Sequence, residues 1–256
     1  GFAGARAAQI LTNYGYDVLV LDKGGIPGGR SSTKRREAGA YNHGADALDN
    51  EVFADTRMNT MLEGTDVRCE TRITSVESKE DYVLLEDEQG FTWEAEAVIL
   101  TCPIPQLFSL FSEHAPPEWE QHPYLSNWTL ICTGSDPIPD GLLDYSNDSI
   151  ELMRRGINDA NSNVLIVQMA NAWSKEHLEL SRDEITELIL QEVQPIASSW
   201  FKNAHFHAHR WRFSRPIKRP KPFVNHRITF AGDAWAEPIG TIESALKSAE
   251  LAALEL

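Results

Sequence analysis

The sequence predicts an α/β protein in which two domains share a discontinuous chain. Three observations predict it. At the N-terminal end a glycine turn runs into a small-residue helix and then a short apolar strand. At the C-terminal end a strand, a glycine loop and an alanine-rich helix follow one another. Between them, residues alternate apolar and polar as antiparallel strands do.

Gly1 to Tyr14 reads as the turn and helix, with Ala5, Ala7, Ala8, Ile10 and Leu11 within it and Gly15 as its stop. Asp17 to Leu21 reads as a short buried strand that ends at Asp22. Gly24 to Thr33 is a glycine-rich loop around Gly28-Gly29-Arg30. Val67 to Val76 and Tyr82 to Glu86 alternate like antiparallel strands, with a turn at Glu88-Gln89-Gly90. Ala97 to Thr101 is a second buried strand, stopped by Pro103 and Pro105. Val164 to Met169 and Ala204 to Phe213 read as further strands. Asp183 to Ser199 has helical periodicity, which Pro195 should end or kink. Arg227 to Ala231 is a strand, and Thr241 to Leu256 is the final helix.

Composition narrows the function classes. The 256 residues are 42% hydrophobic and carry a formal net charge of −15. That is enough apolar material for a core, and it excludes a disordered or fibrous chain. The acidic balance disfavours nucleic acid and anionic membranes as partners. No apolar run approaches the roughly 18 residues that a membrane-spanning helix needs. Three cysteines in this length argue for a reducing, cytoplasmic compartment without a disulfide framework.

A dinucleotide site needs glycines that let the backbone approach a pyrophosphate at a helix N-terminus. Gly1 and Gly4 fit the second and third glycines of a G-x-G-x-x-G turn. Asp22 ends the next strand 21 residues after Gly1, where a carboxylate can accept ribose hydroxyls. Gly28-Gly29 leaves room for a phosphate that Arg30 could neutralise. Ile228-Thr229-Phe230-Ala231-Gly232-Asp233 ends a strand, and Thr241 is a helix cap beyond Gly240.

Gly1 to Gly4, Asp22-Lys23, Gly28-Gly29-Arg30 and Gly232-Asp233 through Glu243 together resemble the flavin amine oxidase superfamily. Four more segments resemble its renalase-like branch: Tyr41-Asn42-His43-Gly44-Ala45, Cys102-Pro103-Ile104-Pro105-Gln106, Trp173 to Leu178, and His209-Arg210-Trp211-Arg212-Phe213. The chain departs from that pattern at Asn42, where the family usually has an acid, and at Asp46 to Leu48. The resemblance implies a Rossmann-like FAD-binding domain (1–50, 66–105 and 224–256) with an inserted substrate domain of antiparallel sheet plus helices (51–65 and 106–223). This is the two-domain architecture shared with p-hydroxybenzoate hydroxylase. It also implies that an N-terminal strand and a segment near 48–57 are absent from this sequence.

By the same resemblance FAD lies along the first domain, held without a covalent bond, because no cysteine follows Cys132. Gly1, Phe2, Ala3 and Gly4 would contact the pyrophosphate, Asp22 and Lys23 the adenosine side, and Gly29 and Arg30 the phosphates or ribityl chain. His43, Gly44 and Ala45 would run past the flavin ring, and the Ile73 backbone would meet adenine. Thr101, Cys102 and Pro103 would lie beside the adenosine half. Gly232 and Asp233 would hold the ribityl and pyrophosphate, and Thr241 and Ile242 the pyrimidine edge. The implied reaction passes hydride from isomeric dihydronicotinamide dinucleotides to flavin N5, with O2 reoxidising the flavin to give H2O2. A flavin amine oxidase or desaturase, and a non-catalytic flavin-binding protein, are the alternatives.

Three further features have plain readings beside functional ones. His205, His207 and His209 alternate, so a strand puts them on one face; no cysteine or carboxylate lies between them, and no metal is expected. Cys102 before Pro103 reads as a buried structural thiol. Arg210, Arg212, Arg215, Lys218, Arg219 and Lys221 put six cations in twelve residues without an acid. They are either a solvated loop or a rim that draws in an anionic dinucleotide. Arg210 and Trp211 are the candidates for substrate placement, with Trp235 as another flat wall.

Overall fold

The computed structural model describes residues 1–36, 39–45, 54–111, 115–156, 163–197, 199–223 and 225–256. In chain order the elements begin with α1 (Phe2–Asn13), β1 (Leu19–Leu21), β2 (Thr33–Arg36), β3 (Gly39–Asn42), α2 (Ala54–Met61) and β4 (Asp66–Arg68). Next come β5 (Ile73–Ser78), β6 (Val83–Asp87), β7 (Thr92–Ala95), β8 (Val98–Leu100), α3 (Ile104–Phe111) and β9 (Tyr124–Gly134). The chain continues through β10 (Ile150–Arg155), β11 (Asn163–Met169), α4 (Asn171–Glu176) and α5 (Arg182–Ala197). It closes with β12 (His205–Pro216), β13 (Ile228–Phe230) and α6 (Ile242–Leu254). Two compact units result: 1–32, 54–123 and 215–256 form the first, and 33–53 and 124–214 the second.

In the first unit α1 owes its helix to alanines, which lose least on helix formation. It stops at Gly15, whose φ of +89° suits a residue without Cβ. The Tyr16 N–H reaches back to Leu11 O at 3.1 Å and the Gly15 N–H to Thr12 O at 3.0 Å, closing the helix end. Ala3 and Ala7 of α1 pack with Ala249 and Ala252 of α6 and with Ala231 after β13. Side chains this small let the two helices approach closely. β8 and β13 pair in parallel, as do β1 and β4, while β5, β6 and β7 form an antiparallel meander. The turn at Glu88–Gly90 stands where expected, with Asp87 Oδ1 accepting from the Gln89 and Phe91 N–H groups at 2.9 Å.

The second unit is a four-stranded sheet in the order β10-β11-β9-β12. One face carries Trp128, Leu130, Cys132, Leu165 and Val167 against Ile185, Ile189 and Val193 of α5. The other carries Ile131, Val164 and Ile166 against Tyr41 of the β2–β3 hairpin. α/β architecture with a parallel component and an antiparallel sheet-plus-helix component is thus the fold class that the sequence predicts.

Several expectations are corrected. β1 is not buried: Leu19 is 38% exposed. Val67 to Val76 is not one strand, because Glu70 takes φ +54° and breaks it. The Glu70 N–H donates to Gly24 O at 2.9 Å and the Thr71 N–H to Asp22 O at 3.0 Å, so this break wraps the end of β1. Pro195 lies within α5, which runs on to Ala197. The domain boundaries also move. Residues 33–50, expected in the cofactor domain, fall in the second unit, where Tyr41 packs on the sheet. Residues 54–65, 106–123 and 215–223 fall in the first unit. There Phe111, Trp119, Phe223, Phe230 and Trp235 stack as one aromatic cluster. The expected missing segment near 48–57 and the departures at Asp46 to Leu48 lie largely outside the described residues.

Candidate functional sites in the two units

The first unit gathers the glycine segments at the start of α1. A Cβ on Gly1 would sit 3.4 Å from Gly28 O, and one on Gly29 would sit 3.6 Å from Gly1 Cα. A Cβ on Gly4 would meet Thr101 Oγ1 at 3.5 Å. The three segments therefore pass within van der Waals contact of one another. The first turn of α1 has no side-chain cap and no acidic residue, so its N–H groups keep their partial positive charge for an anion. These residues fit a dinucleotide pyrophosphate.

The start of α6 is different. Thr241 Oγ1 accepts from the Ser244 N–H at 3.0 Å, and Ser244 Oγ accepts from the Thr241 N–H at 3.2 Å, a reciprocal cap. Glu243 adds an acid in that turn. Thr241 is spent on capping its own helix, whose first residue is Ile242. The Ser248 hydroxyl locks Gly232 from both sides, accepting from its N–H at 2.8 Å and donating to its O at 2.9 Å. Ser244 and Ser248 carry no site role in the sequence pattern. Their signal was two serines four residues apart on the alanine face of the final helix.

Arg30 and Asp233 form a bidentate pair at 2.7 and 2.5 Å. Arg30, expected at the phosphates or the ribityl chain, pairs its guanidinium with Asp233 and so ties together two segments 203 residues apart. Asp22 ends β1 as predicted, with Oδ1 accepting from the Gly24 N–H at 2.8 Å. Lys23 reaches Gln106 Oε1 at 3.3 Å. Ile73 opens β5 opposite Asp87. Burial pushes the Cys102 thiol up to about 12, as an inert structural cysteine requires; Pro103 follows it and opens the way into α3. Trp235 lies in the aromatic cluster, stacked on Phe230 at 5.0 Å, rather than standing as a free wall. A cavity of about 410 Å³ on the meander, lined in part by Arg68, Phe91 and Trp93, holds none of the expected site residues.

The second unit holds His43, Gly44 and Ala45. Here His43, His209 and Trp211 come together: His43 and His209 meet at 4.7 Å, His209 and Trp211 at 4.1 Å, and His43 and Trp211 at 5.1 Å between ring centroids. The Gly44 carbonyl accepts from Arg154 at 3.1 Å. Asn42 is buried, with Oδ1 accepting from Thr33 Oγ1 at 2.8 Å. Lys34, which the sequence reading passed over, lies 3.1 Å from His207 Nε2.

Arg210 does not join Trp211. Successive residues of a strand point to opposite faces. Arg210 Nη1 donates to Leu178 O at 2.8 Å and its guanidinium lies 5.7 Å over Trp128, on the α4–α5 side. The basic segment is engaged in the same way. Arg212 grips Glu179 at 2.7 and 2.8 Å, Lys221 pairs with Glu118 at 2.8 Å, and Arg219 donates to Trp235 O at 3.0 Å. Four of the six cations, Arg210, Arg212, Arg219 and Lys221, thus have partners within the protein.

Burial, then Lys34, His207 and Arg182, hold His209 down at about 4. An unfolded histidine titrates near 6.5. Between those values the unfolded chain binds a proton that the folded one refuses, so stability is expected to fall as pH drops from about 6.5 to 4. Urea midpoints of the parent and His209→Phe across this window check it: the slope should flatten in the variant.

A family model described as flavin containing amine oxidoreductase matches residues 43–133 and 135–256, most of the chain. The chain belongs to that family. A second model, an NAD(P)-binding Rossmann-like domain, matches residues 1–63. Among solved structures, a triple mutant of putrescine oxidase is 16% identical, covering 79% of this chain and 51% of its own, with a TM-score of 0.59. Cyclohexylamine oxidase from Brevibacterium oxydans is 14% identical over 79% of this chain and 52% of its own, TM-score 0.59. A protein from Pyrococcus furiosus is 8% identical over 100% of this chain and 95% of its own, TM-score 0.67. At these identities the likeness is one of fold. The chain spans about half the length of the two oxidases. Comparison with curated proteins gives no match. Among the described residues no helix is long and apolar enough to cross a membrane, and no group of three histidines, cysteines or acids could hold a metal.

Proposed function

We propose that this protein is an FAD-dependent oxidase that takes hydride from isomeric dihydronicotinamide dinucleotides and passes the electrons to O2, giving H2O2. The observation that carries the cofactor reading is the uncapped α1 N-terminus crossed by Gly28 and Gly29. Gly1 to Gly4 would bind the pyrophosphate through backbone N–H groups, and Asp22 would accept the adenosine ribose hydroxyls. Lys23, Ile73 and the Thr101–Pro103 turn would border the adenosine half. Gly232 and Asp233, held by Ser248 and Arg30, would border the ribityl chain. When bound, flavin supplies the two-electron acceptor. Cys132 is buried and Cys102 partly buried, and both thiols are pushed up, which supports noncovalent binding. Three free cysteines support a reducing, cytoplasmic setting.

For the substrate, the part-exposed Trp211 and His209 rings, backed by the buried His43, suit a planar dihydropyridine. Arg210 drops out of that role and Trp211 keeps it. Amine oxidation is the second reading. It is favoured by the fold shared with putrescine oxidase and cyclohexylamine oxidase, and by the engagement of the basic segment with Glu179 and Glu118.

Anaerobic flavin bleaching decides between them. Isomeric dihydronicotinamides should bleach the flavin rapidly, and ordinary NADH and amines slowly. Bleaching by amines alone would transfer the protein to the second reading. On the cofactor side, Asp22→Ala should weaken FAD binding by about 1–3 kcal/mol, the loss of a charge-assisted hydrogen bond. Asp22→Asn keeps an acceptor for the Gly24 N–H and separates the turn from the charge. Equal FAD affinity of parent and Asp22→Ala in apoprotein titrations would remove Asp22 from the site.

A further inference from the structure

His209 is built into its strand in an unusual way. Its Nδ1 is sealed from solvent and has no hydrogen-bond partner among the described residues, whereas Nε2 is not sealed in this way. Trp211 and His43 flank the ring at 4.1 and 4.7 Å. The charged groups acting on it are cationic: Lys34 on β2 and Arg182 at the start of α5, with the His207 imidazole beside it on β12. Lys34 carries only donors, so at 3.1 Å the His207 Nε2 is the acceptor and His207 is neutral.

This fixes the proton of His209. A neutral imidazole holds one proton. On Nδ1 it would be a buried donor without an acceptor; on Nε2 it can meet solvent or a ligand. A second proton would place charge on the sealed nitrogen in front of Lys34. His209 is therefore a neutral ring whose open nitrogen donates.

We infer that His209 recognises the substrate through Nε2–H, donating to a carbonyl oxygen carried by a planar uncharged ring that lies against Trp211, with the buried His43 ring backing the pair. This deepens the functional reading above and rests on it. A nicotinamide carboxamide offers that oxygen. A protonated amine offers no acceptor and meets the charge of Lys34 instead.

The test uses the flavin-loaded full-length protein, titrated with nicotinamide and with pyridine and followed by tryptophan fluorescence and flavin absorbance. The parent should prefer nicotinamide. His209→Phe keeps a ring and removes the donor. Nicotinamide affinity should fall about three- to tenfold, the worth of one hydrogen bond, and pyridine affinity should not change. His209→Gln keeps a donor and should keep part of the preference. The parent alone gives an independent readout: its preference should be flat between about pH 6 and 8, below which range a depressed imidazole titrates. Equal affinities in the parent, a preference that survives His209→Phe, or one that titrates near neutral pH would each overturn the inference. Lys34→Met should raise the affinity for benzylamine. The two proposals fail separately. If dihydronicotinamides bleach the flavin and His209 leaves the preference untouched, recognition by His209 falls and the functional reading stands. If the preference depends on His209 but only amines bleach the flavin, the functional reading falls and the recognition site stands.

Discussion

Gly28→Ala is expected to unsettle the cofactor cradle and the first unit together. Gly28 has φ +150° and ψ −31°, a region that side chains with Cβ rarely occupy. The added Cβ would also stand 2.7 Å from Ser32 Cα and 2.8 Å from Ser32 Cβ. The first of these is backbone, so a rotamer change cannot relieve the overlap. Strain and overpacking together should cost about 2–4 kcal/mol. For a chain of this size that lowers Tm by roughly 4–16 °C. The loop must shift, and Gly28 O and Gly29 are the atoms that pack on Gly1, so FAD affinity should fall too. Gly25→Ala is the control: a Cβ there meets nothing within 4 Å and its φ is not in the left-handed region. Scanning calorimetry and flavin titration of the pair check this. A Gly28→Ala protein that melts and binds flavin like Gly25→Ala would mean that the loop does not need its glycine.

How much of this was legible in the sequence depends on the range of the interaction. Helix α1, strand β13 and helix α6 carry local signals: alanines, a glycine stop at Gly15, a cap at Thr241. Asp22 was legible because a strand end and a residue spacing located it. The partner of Arg30 was not, because Asp233 is 203 residues away and no local rule selects it. Strand β9 was hidden by its own polar residues. Ser126, Asn127 and Thr129 break the apolar pattern, yet they are buried with partners: the Asn127 amide donates to Met169 O, Thr129 Oγ1 bonds Asn127 Oδ1 at 3.2 Å, and Asn171 donates to Ser126 O at 2.9 Å. The separation of Arg210 from Trp211 could have been read from strand alternation alone. The engagement of the basic segment could not, since Glu179 and Glu118 come from other elements.

Trp128→Ala is expected to give the largest loss of stability. The side chain is 1% exposed, on the sheet face that packs against Ile185, Ile189 and Val193. Its Nε1–H donates to His177 O at 3.1 Å, and its backbone N–H donates to Ser174 Oγ at 3.0 Å. Alanine removes the indole from a core of fully buried residues, and neighbours fixed in strands and in α5 close the hole only in part. The cost should be about 3–5 kcal/mol. Trp128→Phe separates the contributions, because it keeps an aromatic ring in the core and removes one of two donors to the His177 carbonyl, the Leu180 N–H remaining at 3.3 Å. That should cost about 0.5–1.5 kcal/mol. Arg210 loses the ring beneath its guanidinium in Trp128→Ala and keeps one in Trp128→Phe. Trp128 lies on the α5 face and His209 on the other, so Trp128→Phe should leave the nicotinamide preference intact while lowering the urea midpoint. A Trp128→Phe protein that loses the preference would mean that the two faces of this sheet are not independent, and the ring wall would then owe its geometry to the core beneath it.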